Sequence, residues 1–250
     1  MSTETCMASG AGASRQRPWG MILLAACLGT ALVLIAVPRV AAYGPLVSFG
    51  PVRAALDQGR DVGPARLEAA HEALGRAGQW LPNEAAILRD RARIARRLDG
   101  IAGDAETTFE LRQSAVTDLN AAAAAAPFDA FNWALLADAG IAVGKAPEDV
   151  LPALRLARLT GPRKASAILL QHGIVMRHWA AMPDEMRVHA MADAAVFWRR
   201  APYRWFLLES YLDAGFAARA AFRRALAADD PRLLDHLDRM LTGGTVRRNR

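Results

Sequence analysis

The residues best suited to metal or acid–base chemistry are five histidines: His71, His172, His178, His189 and His236. His172 and His178 are six positions apart, which places them on different sides of a helix, and neither has a carboxylate four residues further on to complete a site. The spacing therefore predicts no metal site. We expect these histidines at helix surfaces or helix caps.

Carboxylates are the next candidates, because a pair of them could act as the acid and base of a glycosidase. Residues of the right type are Glu68, Glu72, Asp184, Glu185 and Glu209, but their separation in space is not fixed by the sequence. The chain has no serine-centred elbow, glycine-rich phosphate loop or cysteine–histidine arrangement. We therefore expect a protein that is not an enzyme and holds no cofactor.

Aromatic residues are densest between positions 179 and 211, with arginines among them. The aromatic residues are Trp179, Phe197, Trp198, Tyr203, Trp205, Phe206 and Tyr211. Such rings stack on sugars and neighbouring guanidinium groups bind acidic groups, but stacked helices need large apolar residues at this density too, and core packing is the favoured interpretation. The candidate partner-binding residues are Arg199, Arg200, Tyr203, Arg204 and Trp205.

Basic residues give the chain a formal net charge of +6, but they are spread along helix faces rather than concentrated as nucleic acid would require. One cluster falls within a single predicted helix: Arg89, Arg91, Arg93, Arg96 and Arg97. We interpret it as a solvated helix face, with attraction to anionic lipids or an acidic polymer as the alternative. No nucleic-acid partner is expected.

The element that decides location is an uncharged run, Met21 to Val37, flanked by Arg15, Arg17 and Arg39. Roughly 17 to 20 helical residues span about 26–30 Å, the thickness of the bilayer core. We expect residues 18–42 to be retained as an anchor. The alternatives are cleavage of a signal peptide after Val40-Ala41-Ala42 and lipidation at Cys27, which follows a lipobox-like Leu24-Ala25-Ala26.

Orientation is indicated by the short N-terminal tail and by the lack of any cysteine after Cys27. Both favour a single-pass protein of the inner membrane, with its C-terminal domain in the periplasm. Residues 1–17 are predicted to be a disordered tail, residues 43–63 a linker, residues 64–242 a helical domain and residues 243–250 a basic tail.

An all-α fold is predicted for the domain, since alanine, leucine, arginine and glutamate dominate and no stretch alternates like a strand. Prolines and glycines divide it into helices starting near Pro64, Pro82, Asp104, Phe128 or Asp129, Pro147, Lys164, Asp184, Tyr203, Phe216 and Pro231. The pieces are of similar length, which is typical of helix-turn-helix arrays. We expect a short α-solenoid of stacked hairpins resembling tetratricopeptide repeats.

The unit from Pro127 to Pro162 comes closest to that repeat. It has Trp133 and Leu136-Ala137 in its first helix and Leu156-Ala157 in its second. Gly140 departs from the pattern, which has a large aromatic residue at that position. The number of true repeats therefore stays open.

The order of features from Ala126 to Pro202 resembles a family. The features are Trp133 with Leu136-Ala137, Ala153-Leu154, Leu159-Thr160-Gly161-Pro162, Arg177-His178-Trp179, Met182 to Arg187 and Arg200-Ala201-Pro202. Together with the anchor, they resemble the small membrane-anchored, tetratricopeptide-like proteins found with bacterial exopolysaccharide biosynthesis machinery, the VpsP type.

That resemblance implies an accessory role in exopolysaccharide assembly or export, with no catalytic residues. The function expected is a scaffold that binds a protein partner in the membrane or periplasm. A carbohydrate-binding module that contacts polysaccharide and a general factor for assembling envelope complexes are the alternatives.

Overall fold

A computed structural model describes residues 19–58 and 60–248, and within these ranges the chain is helical with no strand. The predicted tail at residues 1–17 lies outside the described residues. The helices are α1 (Trp19–Tyr43), α2 (Gly50–Asp57), α3 (Pro64–Trp80), α4 (Ala85–Asp99), α5 (Ala105–Ala125), α6 (Ala130–Ala142), α7 (Leu151–Thr160), α8 (Ala165–Arg177), α9 (Asp184–Trp198), α10 (Arg204–Asp213), α11 (Phe216–Asp229) and α12 (Pro231–Arg248). The all-helical prediction is confirmed for this part of the chain.

Local signals set the helix ends. The Asp104 side chain accepts a hydrogen bond of 2.7 Å from the Thr107 N–H at the start of α5, and Asp129 accepts one of 3.0 Å from the Phe131 N–H at the start of α6. Both bonds satisfy N–H groups that have no partner within the helix. Pro64 stands at the first position of α3, where its missing N–H costs nothing.

Helix α1 is long and apolar enough to cross a membrane, and most of its side chains are exposed. Its last turn behaves differently: Ala42 is fully buried in a cluster that includes Phe49, Val52 and Leu67. Residues 43–63, predicted as a linker, contain a 3-10 turn at Pro45–Phe49 and helix α2. Helix α1 therefore continues into the domain through packed, helical chain.

The remaining helices pack in a regular order. Consecutive helices from α3 to α7 contact one another, α6 also packs on α8, α8 packs on α10, and α9 packs on α11. From α6 onward, three helices, α6, α8 and α9, thus also pack on the second helix after them in the chain. Helix α12 packs on α11 and extends through residues 243–248, which were predicted to be a tail.

Large apolar side chains fill the C-terminal half of the core. Trp198 and Phe222 are fully buried and meet edge to face, with ring centroids 5.8 Å apart. Phe197 and Tyr211 are buried beside them. Among the clustered aromatic residues, Phe197, Trp198 and Tyr211 therefore pack in the core.

Two glycines allow backbones to approach closely. A Cβ atom on Gly140 would lie 3.0 Å from Val150 Cγ1, which accounts for a glycine at the position where the repeat pattern has an aromatic residue. A Cβ atom on Gly161 would lie 2.3 Å from Ala130 Cβ, a distance that real Cβ atoms essentially never show. The end of α7 can therefore pack against the start of α6 only without a side chain at residue 161.

Candidate functional site

A groove of about 800 Å³ crosses five alternate helices of the described chain, α2, α4, α6, α8 and α10. Its charged and polar lining consists of Arg53, Asp57, Arg89, Arg93, Arg97, Lys164, Ser166, Arg177, Tyr203, Glu209, Ser210 and Asp213. Its apolar lining includes Leu56, Phe131, Leu135, Leu169, Leu170 and Phe206. Since consecutive helices pair in the array, alternate helices present the same side.

One side of the groove, the basic wall, is formed by Arg53, Arg89, Arg93 and Arg97 on α2 and α4. Three of these arginines surround a buried carboxylate, Asp90, whose side chain is 4% exposed. The Asp90 oxygens lie 3.5 Å from Arg53 Nη1, 3.7 Å from Arg89 Nε and 3.6 Å from Arg93 Nη1. This ion group compensates the buried charge and holds α2 against α4.

The prediction that the α4 arginines form a solvated face is wrong for four of the five. Side-chain exposure is 13% for Arg89, 19% for Arg93, 27% for Arg91 and 26% for Arg96. Each has an acidic partner; Arg91 Nε, for example, donates to Asp118 Oδ2 at 2.6 Å. Arg97 alone is exposed, and no ion pair to it occurs within the described residues.

Asp129 connects the basic wall to the centre of the groove. Arg89 donates to its Oδ2 at 2.9 Å and Lys164 donates to its Oδ1 at 2.5 Å. Partial burial would raise the pKa of Asp129, but the hydrogen bonds from Lys164 and the Phe131 N–H, with the positive charges of Lys164 and Arg89, hold it below its usual value. The carboxylate stays ionised and joins α4, α6 and the start of α8.

The groove floor is apolar. Leu135 and Leu169 line it from α6 and α8, and the Arg93 guanidinium lies 5.7 Å from the centre of the Phe131 ring. Gly173 on α8 lies close to α10, because a Cβ atom there would lie 3.3 Å from Ser210 Oγ. The floor can therefore bury apolar side chains of a ligand between charged walls.

The opposite side of the groove, the acidic wall, is formed by Glu209 and Asp213 on α10, beside Phe206 and Ser210. Glu209 Oε1 accepts a hydrogen bond of 3.0 Å from Trp205 Nε1. Neither acid has an ion pair within the described residues. The groove therefore has cations on one wall and unpaired carboxylates on the other.

The predicted partner-binding residues are close in sequence but have different surroundings. Arg199 Nε donates to Asp229 Oδ2 at 2.9 Å, and Arg204 Nε donates to the Trp198 carbonyl oxygen at 2.7 Å. Arg200 lies 5.5 Å above the ring of Phe197. All three of these arginines thus make contacts within the domain.

The other two predicted residues are nearer to the groove. Tyr203 lines it, with its ring edge to face against Phe197 at 5.2 Å. Trp205 is 58% exposed on α10, four residues before the groove residue Glu209. Of the five predicted residues only Tyr203 lines the groove, and Arg53 and Arg97 at the other end of the groove were not among them.

The histidines do not form a chemical centre. Within the described residues no group of three or more histidine, cysteine, aspartate or glutamate side chains is placed to hold a metal. His178 caps α8 as expected. His172, expected at a surface, is instead 1% exposed, and burial lowers its pKa to about 4.

The five candidate glycosidase carboxylates are divided among three helices, α3, α9 and α10. Glu72 pairs with Arg76 on α3, and Asp184 pairs with Arg187 on α9. Only Glu209 of the five lines the groove. The geometry of the groove is thus one of charged walls and an apolar floor, which suits binding.

Comparison with known proteins gives no match: no protein-family model, no curated protein and no solved structure is similar to this chain.

Proposed function

We propose that this protein is a membrane-anchored, non-enzymatic scaffold whose groove binds a segment of a protein partner. The observation that carries the proposal is the groove across α2, α4, α6, α8 and α10, in a chain whose first described helix is long and apolar enough to span a bilayer. Alternate helices of a short α-solenoid of hairpins would present such a surface.

The lining favours a peptide as ligand. Leu135 and Leu169 offer contact to apolar side chains, whereas the walls offer charges of both signs. A peptide can carry apolar, acidic and basic groups within a few residues. An acidic polysaccharide would be attracted to one wall and repelled by the other.

A carbohydrate-binding module is the second candidate, and Trp205 is the observation that favours it. Its ring is 58% exposed and its Nε1 is held by Glu209 at 3.0 Å, so a flat apolar face is available for a sugar. Loss of saturable sugar binding in Trp205→Ala alone would support this candidate.

The cellular setting of the proposal follows the anchor and the resemblance. We place the chain in the inner membrane with its helical domain in the periplasm, where it serves exopolysaccharide assembly or export. Glycosyltransferase and polymer-export genes beside its gene would support this setting. If such genes are absent, the proposed scaffold would serve a different envelope pathway.

Site-specific photocrosslinking in intact membranes tests the groove. A photoreactive amino acid replaces Ser166, which is exposed in the groove, and in the control it replaces Arg155, which is exposed on α7 outside the groove. We expect position 166, and not position 155, to give a protein adduct whose crosslinked peptide can be sequenced. Equal adducts at both positions, or polysaccharide adducts at position 166, would contradict the proposal.

A further inference from the structure

We infer that the groove selects a segment with separated charges, in which acidic residues face α2 and α4 and basic residues face α10. This inference rests on the proposed peptide-binding function and specifies the partner's chemistry. It follows from which charges of the groove remain without partners inside the protein.

At the α4 end the unpaired charge is positive. Beyond Arg97 the groove meets a recess of about 240 Å³, which shares Leu56 and Arg97 with it and is also lined by Arg60 and Asp61. Arg60 and Arg97 are exposed and have no ion pair within residues 19–58 and 60–248. Two available guanidinium groups against one carboxylate favour an acidic group of the ligand here.

In the rest of the basic wall and in the centre of the groove, the charges are already matched. Arg93 Nη2 lies 2.7 Å from Asp57 Oδ1, and Arg177 Nη2 lies 2.9 Å from Asp138 Oδ1. Asp129 forms ion pairs with both Arg89 and Lys164. A ligand charge placed there would have to compete with these pairs. The centre therefore suits apolar side chains against Leu135 and Leu169.

At the α10 end the available charge is negative. The Glu209 carboxylate accepts a hydrogen bond only from the neutral Trp205 ring, and the Asp213 side chain makes no hydrogen bond or ion pair in the described part of the chain. Two carboxylates without a cation favour a lysine or arginine of the ligand at this end. The unpaired charges thus stand at opposite ends of one apolar floor.

The size of the groove sets the length of the segment. Helix α6 packs on α8 and α8 packs on α10, whereas α4 is packed less closely on α6, so three helix spacings of about 8–10 Å give a groove of at least about 24–30 Å. An extended chain covers this distance with about eight residues at about 3.3–3.6 Å each. The ligand is therefore an extended segment of about eight residues with an acidic end, an apolar centre and a basic end.

Selection from a random peptide library of about eight residues tests the inference, with the full-length protein held in lipid nanodiscs. Wild-type protein is expected to enrich peptides with separated charges. Arg97→Glu should replace the acidic end of the enriched peptides with basic residues and leave the basic end unchanged. Asp213→Lys should do the reverse, and Arg155→Glu, on α7, should enrich the wild-type pattern.

Titration of one enriched peptide gives the magnitude. Each reversal in the groove should weaken binding about tenfold, which corresponds to about 1.4 kcal/mol. The peptide carrying the matching reversed end should recover most of that loss. Asp213→Lys suits this purpose because a cation at the end of α10 agrees with the helix dipole, so folding is preserved.

The outcomes separate the inference from the proposed function. If no peptide binds in the groove, the proposed function fails. If peptides bind there but carry mixed or single-sign charges, the inference alone fails. If Arg97→Glu weakens and Asp213→Lys strengthens binding of an acidic oligosaccharide, such as oligogalacturonate, the ligand is a polymer of one sign and the inference is overturned.

Discussion

Acidification should destabilise this protein through one buried histidine, His172. Its Nδ1 lies 3.1 Å from the Ala190 carbonyl oxygen, so Nδ1 carries the proton, and its ring meets Phe222 at a centroid distance of 5.7 Å. Nε2 is buried with no hydrogen-bond partner among the described residues. Protonation would place an uncompensated charge in the core, which is why burial lowers the pKa to about 4.

The sign of the effect follows from the two states. The unfolded chain takes up the proton at pH 6.5 and the folded chain only at about pH 4. The stabilisation that comes from keeping His172 neutral is therefore fully present above pH 6.5 and is lost as the pH falls from 6.5 towards 4. Below about pH 4 this group causes no further loss of stability. The difference between the two values corresponds to about 3 kcal/mol, at about 1.4 kcal/mol per pH unit.

Urea unfolding of the full-length protein in a mild detergent, followed by tryptophan fluorescence between pH 7.5 and 4, measures this loss. His172→Gln keeps a donor for the Ala190 carbonyl and cannot be protonated, so its free energy of unfolding should fall by about 3 kcal/mol less than that of wild type over this range. His189→Gln, at a half-buried site on α9, is the matched control and should follow wild type closely. If His172→Gln and wild type lose stability in parallel, the reasoning is refuted.

Three further predictions concern packing, charge and the anchor. Gly161→Ala should lower the free energy of unfolding by about 1–3 kcal/mol because of the contact with Ala130, and adding Ala130→Gly should recover part of it; a fully stable single variant would contradict this. Asp90→Asn should cost about 2–4 kcal/mol in urea unfolding, since it leaves three arginines around a neutral group; an unchanged midpoint would show that the buried charge is dispensable. Membranes washed with carbonate should retain the intact chain, whereas a soluble product starting at Tyr43, or lipid labelling lost in Cys27→Ser, would show cleavage or lipidation.

Helix boundaries were largely predictable because their signals are local. Asp104 and Asp129 cap the helices that follow them, and Pro64 begins α3, as their side-chain chemistry indicates. The missed element, α2, lacks an equally plain signal, because Gly50-Pro51 and the nearby Gly59 are typical of a loop. The α2 segment is helical because Phe49, just before it, and Val52, within it, are buried in the domain.

The groove was only partly predictable, because distant residues build it. Arg89 and Asp129 are 40 positions apart, and Arg158 and Asp193 are 35 apart in another such pair. Nothing local shows which carboxylate will meet which arginine, so the α4 cluster resembled a solvated face. The spacing of Arg89, Arg93 and Arg97 by four residues did place them on one side of the helix.

Burial of Ala42 at the junction of α1 and the domain would limit where the proposed partner segment could bind. Asp57, the last residue of α2, is 14 positions after Tyr43, so the α2 part of the basic wall lies within about 25 Å of the end of α1. If α1 spans a bilayer, the packed junction allows little movement of the domain relative to α1. The groove then stays close to the membrane surface in nearly one orientation. A binding segment presented within that layer by another membrane protein would be met at a high effective concentration, whereas the same segment on a distant domain would be out of reach.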